Sequence, residues 1–401
     1  MTEGALQQSE VVRSFSVKRD RLLMVLACLT LFSLSVGTGP TSICSVLLLV
    51  VWLFSGVWWR EKGWWWQQRH IVLPIVLVML LPWISLVWTE APNPKLNPFL
   101  QRSHFWLFSF VIMCIGLRDR LARYLVFSFV AGVQINVLLF LSKYIGFEFY
   151  YHKLYTFLDQ GRITFSLLLA CSIALISFVY KKYDLKRIKI SLSILLIINF
   201  SVLCLQSGRS GYIAFIFLLP FIVFNLFNKI KYFYFVLILL VILSILSFSP
   251  TVQYRFNMIR TDLVEYNKAP DRVHDSQVGA RFTFWKGAAK IFSENPLLGV
   301  GIDGYPVVMR RLYPELKSDI TNPHNYYLYI SASYGLFGVF AYGWLWLVAF
   351  RRAWAKRSDW YGFMLLSTLI VVSVGSLTES TPLLPQTGIL LAMTIGLLRE
   401  D

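Results

Sequence analysis

Charge is scarce in this chain. Asp, Glu, Lys and Arg make up 15% of its 401 residues, against about 25% in an ordinary soluble domain. The long apolar runs hold almost none of them. Ion- and proton-coupled transporters carry charged groups at mid-membrane depth, so this absence argues against transport and moves any chemistry to the rims. The five cysteines, Cys28, Cys44, Cys114, Cys171 and Cys204, all fall within apolar runs. None has metal-ligand spacing or sits in a loop where a disulfide is expected, so they read as small core residues. There is no DxD pair in an outer loop, no HExxH, no Cys/His cluster, no P-loop and no nucleophile elbow. Leaving-group charge in any transfer reaction would fall to arginines.

What the chain does have is apolar length. It is 57% hydrophobic, with a mean hydropathy of +0.60. Runs long enough to cross a bilayer core of about 30 Å recur from end to end. The expected class is an all-α polytopic membrane protein with about twelve spans. The expected organisation is nine spans over residues 1–249, one long outer loop over 250–323, and three spans over 324–401. The first run, from Leu22 to about Gly37, lacks a small-x-small cleavage site and reads as a span rather than a signal peptide.

The formal charge of +17 is explained by topology rather than by nucleic acid, which is not an expected partner. Basic residues gather in alternate loops, such as Arg118, Arg120 and Arg123, then Lys181, Lys182, Lys186, Arg187 and Lys189. By the positive-inside rule both termini lie in the cytoplasm and the 250–323 loop lies outside. The tryptophans at 58–59 and 64–66 flank basic residues and read as an interfacial aromatic belt. Within the long loop, the stretch ARFTFWKGAAKIFSENPLLG reads as an amphipathic helix ended by Asn295-Pro296 and Gly299. Phe284, Ala288, Ile291 and Phe292 share one of its faces. The loop is too short to be an independent domain with its own core.

Three residues are candidates for chemistry. Arg209 lies in Ser207-Gly208-Arg209-Ser210-Gly211, a short outer turn between two spans. It is either a snorkelling arginine or an anion ligand, with glycines that let a phosphate approach the backbone. Arg281 opens the amphipathic segment on the same side. The pair suits a lipid-linked pyrophosphate, with Arg162 and Arg311 as further candidates. His324 stands where the long loop meets the next span, at the membrane surface, where a histidine can move protons near neutral pH. At helical spacing Ser331, Gly335 and Gly338 lie below it. This is a stripe for close helix packing or a groove for a polyprenyl tail.

His324-Asn325, followed by Gly335-Leu-Phe-Gly338, resembles the signature of the O-antigen ligase and polymerase superfamily. The Arg209 turn looks like that family's arginine-bearing outer turn. The stretch from Arg281 through Trp285 to Pro296-Leu-Leu-Gly-Val-Gly301 looks like its long-loop motif. The resemblance is strongest over residues 200–345. It implies a GT-C-type glycosyltransferase fold, in the bacterial inner membrane, with a periplasmic active site. The implied donor is a glycan on undecaprenyl pyrophosphate, and the implied acceptor is lipid A–core oligosaccharide. Arg209 and Arg281 would bind the pyrophosphate and His324 would be the general base in an inverting transfer. No metal, cofactor or nucleotide sugar is needed, and a monomer among membrane lipids suffices. The rival readings are an O-antigen polymerase, a protein O-oligosaccharyltransferase and a lipid–glycan transporter.

Overall fold

The computed structural model describes residues 3–60, 64–92, 102–115, 118–142, 161–206, 208–227, 250–268, 279–316 and 320–399, with scattered positions between 236 and 248. All regular structure among the described residues is helical. The larger helices in the first half are α1 (Glu3–Val36), α2 (Thr38–Ser55), α3 (Arg69–Ile84), α4 (Leu107–Cys114), α5 (Arg118–Ser142), α6 (Arg162–Lys182), α7 (Lys186–Leu205) and α8 (Arg209–Leu226). The second half adds α9 (Pro250–Lys268), α10 (Gly279–Glu294), α11 (Gly304–Leu312), α12 (Tyr326–Ala355), α13 (Trp360–Gly375) and α14 (Pro385–Gly396).

Among the described residues, six helical segments are long and apolar enough to cross a membrane: Thr38–Ser55, Arg69–Val87, Asp119–Ser142, Arg162–Lys182, Lys186–Leu205 and Tyr326–Ala355. Ser210–Leu226 and Trp360–Gly375 are shorter apolar helices. Six is fewer than the twelve spans expected from hydropathy. Apolar runs near 104–117 and 382–398 became the short helices α4 and α14, which pack against each other inside the bundle. The expected span at 232–249 and the aromatic loop at 143–162 lie largely outside the described residues.

The bundle is built around α13 and α6. α13 packs against α5, α6, α8, α12 and α14. α6 is buried along nearly its whole length, from Thr164 to Val179. Helices in lipid gain little from hiding apolar surface from one another, so close approach through small residues drives their association. Ser166, Ala170, Cys171, Ala174 and Ser177 give α6 that shape. Two hydroxyls in this interior bond to their own helix: Ser177 Oγ donates to Ala174 O at 2.6 Å, and Thr368 Oγ1 in α13 to Met364 O at 2.9 Å. Neither leaves an open polar group in the apolar core.

α12 departs most from its expected form. A single span over about 324–350 is the expectation, but Gly335 has φ 60°, ψ −155° and interrupts the helix. That region is essentially reserved for glycine. Tyr326 and Tyr342 would be about 24 Å apart along a straight helix, yet their ring centroids are 5.4 Å apart. α12 is therefore an elbow. A short arm runs from Tyr326 to Tyr334, and a long arm runs over residues 336–355.

The loop between α10 and α11 fills the break. Leu336 N donates to Pro296 O at 2.8 Å and Phe337 N to Leu297 O at 3.2 Å; in return Val300 N donates to Ala332 O at 3.0 Å and Gly301 N to Ser333 O at 2.8 Å. Backbone groups freed by the bend are thus paired inside the protein. The loop is also tied to the end of α3. Trp88 Nε1 donates to Leu298 O at 3.0 Å, Glu90 N to Val300 O at 3.0 Å, and Ile302 N to Ser85 Oγ at 3.1 Å.

The amphipathic helix expected in the long loop is α10, with Phe284, Ala288 and Ile291 buried and Phe292 half-buried. The loop contributes most of a small core that is completed by α12. Ala280, Phe284, Ala288 and Ile291 pack with Val300, Tyr305 and Met309, and Ala332 of the elbow closes the cluster. The rigid contribution from α12 is what so short a segment needed.

Candidate active site

The site assembles where the short arm of α12 begins. Asn325 is the N-cap of α12: its Oδ1 accepts from Tyr327 N and Leu328 N, each at 3.1 Å, and its Nδ2 donates to Leu377 O at 3.1 Å. Tyr326 N donates to Ser376 O at 2.9 Å. Two residues before His324, Asn322 Oδ1 accepts from His324 N at 2.8 Å and from Ser380 Oγ at 3.0 Å. The segment 322–326 is therefore laced to the turn that follows α13. His324, held between the two asparagines, has φ 49°. A non-glycine side chain rarely occupies that left-handed region, and such outliers cluster at functional sites.

This lacing brings His324 against Glu379. His324 Nδ1 lies 3.0 Å from Glu379 Oε1 and 3.1 Å from Oε2. A carboxylate can only accept, so Nδ1 carries the hydrogen and the neutral ring keeps its lone pair on Nε2. Glu379 is 9% exposed, while the His324 side chain is 36% exposed. The histidine is reachable and the carboxylate paired with it is enclosed. Burial pushes the Glu379 carboxyl up, but the hydrogen bond and charge of His324, the Ser380 N–H and the Arg281 guanidinium outweigh it and hold the group below the ordinary carboxylate value.

Arg281 and Phe284 come from α10, three positions apart on one face. The Phe284 and His324 rings are 6.1 Å apart at 33°, and Trp285 Nε1 donates to Pro323 O at 3.0 Å. α10 thus roofs the histidine. Burial lowers the pKa of Arg281, and the charge of Glu379 opposes that shift. Histidine, carboxylate and guanidinium form one electrostatic group.

Arg209 is the first residue of α8, and its side chain lies outside the described residues. Its neighbour Ser210 has Oγ 2.6 Å from Thr378 Oγ1, next to Glu379. The arginine-bearing turn therefore abuts the carboxylate turn. The glycines around Arg209 do something other than expected. A Cβ on Gly208 would run into Ser166 Oγ and lie 2.6 Å from Arg162 O. Gly208 and Gly211 let the first turn of α6 approach, which leaves no space for a phosphate on that side. Arg162, exposed at the start of α6, is consequently adjacent to the Arg209 turn.

The remaining candidates are Arg311, Gly335 and Gly338. Arg311 pairs with Glu90, Nη1 to Oε2 at 3.0 Å, on the outer side of the loop core. Gly335 and Gly338 are buried. A Cβ on Gly335 would strike the Leu297 backbone, and one on Gly338 would strike Tyr334 and Ile330. The stripe expected below His324 required a continuous helix. The elbow removes that geometry, and protein fills the space a groove there would use.

Sequence reasoning missed Glu379, Asn322 and Ser380. The signal for Glu379 was present but faint: it is the sole acidic residue between Asp359 and Glu400, at the end of an apolar run.

Taken together, fold and site define a polytopic helical membrane protein with a histidine–carboxylate pair and arginines at one end of its bundle. Residues 192–343 match the family model described as O-antigen ligase. That stretch holds Arg209, Arg281, His324 and the Gly335 break, while Glu379 lies beyond it. Comparison with curated proteins gives no match.

Proposed function

We propose that the chain transfers a glycan from undecaprenyl pyrophosphate to a hydroxyl of lipid A–core oligosaccharide. The observation that carries this reading is the His324 Nδ1–Glu379 pair beside Arg281. In this reaction His324 Nε2 removes the proton of the acceptor hydroxyl as its oxygen bonds to the anomeric carbon. The bond from that carbon to the pyrophosphate breaks, and configuration inverts. Glu379 fixes the tautomer and stabilises the imidazolium that forms. Arg281 and Arg209 meet the charge that develops on the leaving pyrophosphate, with Arg162 at its edge and the N-termini of α6 and α8 pointing the same way. Basic loops at the opposite end of the bundle support cytoplasmic termini and a periplasmic site in the inner membrane. A GT-C-type fold agrees with the helical bundle and its extramembrane loop core.

Complementation of a ligase-null Gram-negative strain tests the proposal. Wild type should restore long-chain lipopolysaccharide and His324→Ala should not. Restoration by the alanine variant removes the base. Correction of a strain whose core carries single repeat units would instead identify a polymerase.

A further inference from the structure

We infer that the crook of the α12 elbow holds the isoprene units nearest the pyrophosphate of the lipid-linked donor. The inference rests on the glycan-transfer reading and assigns one of its substrates a place. A cavity of about 210 Å³ lies inside the bend, lined by Tyr326, Tyr327 and Ile330 of the short arm and Val339, Gly343 and Trp346 of the long arm. Whole-ligand sites are larger, about 300–1,000 Å³, so the crook takes part of a chain.

The lining is made to be apolar. Tyr327 Oη donates to Ser373 O at 2.9 Å and Trp346 Nε1 donates to Ser373 Oγ at 2.9 Å. Both aromatic walls spend their polar atoms on one residue of α13 and turn carbon toward the cavity. On the adjoining surface Leu336 and Phe340 are exposed, as expected where a bilayer would touch. The floor is held open by Gly343. Glycine inside a helix is unfavourable relative to alanine. At Gly132, Gly338 and Gly362 a close neighbour explains it, whereas a Cβ on Gly343 would meet nothing within 4 Å. The empty space is what the glycine preserves.

Position selects the occupant. Tyr326 follows Asn325, so the lining of the crook begins within a helical turn of His324. In the donor only a pyrophosphate separates the reacting carbon from the hydrocarbon chain. In the acceptor several sugars separate the reacting hydroxyl from the acyl chains. A cavity this near the base fits the donor's chain and is too near for the acceptor's.

The test uses the purified full chain in detergent and a polyprenyl pyrophosphate carrying a diazirine on its second isoprene unit. After irradiation, peptides are mapped by mass spectrometry. We expect labelling within residues 326–346, displaced by unlabelled undecaprenyl pyrophosphate, and reduced about tenfold in Gly343→Phe and in Val339→Trp at unchanged thermal melting. His324→Ala should label like wild type. Labelling confined to other helices in the wild type overturns the inference whatever the variants do. So does undiminished labelling in both bulky variants, or equal labelling by a diazirine phospholipid that the pyrophosphate does not displace. Glycan transfer is assayed separately. Labelling in the crook without transfer sinks the ligase reading alone, and transfer without labelling there sinks the crook alone.

Discussion

α6 and α12 begin at the same end of the bundle, and both are apolar runs long enough to span a membrane. α6 is a straight rod, buried from Thr164 to Val179. α12 breaks at Gly335 and trades backbone hydrogen bonds with a loop forty residues earlier. The rod keeps a regular backbone and is placed by shape, with the Ser166 and Ser177 hydroxyls bonded back to their own helix. The elbow depends on partners, and its short arm presents His324, Asn325 and the cavity. Regularity here goes with scaffold and interruption with chemistry.

The comparison breaks first on activity. His324→Ala should lower transfer by about 10²–10⁴-fold, the usual contribution of a general base, and Glu379→Gln by a smaller factor, measured as initial rates with lipid-linked donor. Loss of comparable size from Ser177→Ala in α6 would show that the rod, too, takes part in chemistry.

On stability, Gly335→Ala should cost about 1–3 kcal/mol through the forbidden backbone region, with the Leu297 clash added, read as a drop in detergent thermal melting. Ala174→Gly in α6 should cost about 1 kcal/mol, the ordinary helical penalty. Equal costs would mean the bend is not built into the fold. Asn325→Ala removes the cap of the short arm and should cost about 0.5–2 kcal/mol.

The smallest effects concern pH. Glu379 titrates below its ordinary value, so its contribution to stability is present above the unfolded carboxylate pKa and is lost as pH falls through the lower folded value. Asp303, in the loop that fills the elbow, has the opposite sign. Burial raises it to about 6, so its contribution is complete at acid pH and is lost as pH rises through about 6. Asp303→Asn keeps a residue tolerant of its φ of 58° and should flatten the decline in melting temperature between about pH 4 and pH 6. An unchanged pH profile would show that Asp303 is not responsible.

The bundle's class was legible because apolar length is a direct record of membrane depth. The buried face of α10 was legible because Phe284, Ala288 and Ile291 repeat at helical spacing. The elbow was not, since hydropathy continues through Gly335 and a glycine for bending looks the same as a glycine for packing. Only the loop at 296–301 decides between them, and that contact is long-range. Gly208 and Gly211 were misread for the same reason: the neighbour they admit is Ser166 of α6. His324 was visible as a histidine at an apolar boundary. Glu379 was not, because a pairing across 55 positions leaves no local pattern.

The carboxylate's position in the chain also sets the order of assembly. Arg209, Arg281 and His324 are synthesised well before Glu379, which arrives only after α13. Synthesis proceeds from the N-terminus and long-range contacts form late. Until that last turn docks, the histidine has neither a fixed tautomer nor the Asn322–Ser380 bond that steadies its backbone. On the proposed reaction, a nascent chain already inserted through the elbow would have the arginines assigned to the pyrophosphate before it has the pairing that orients His324, so the closing turn would complete the site last.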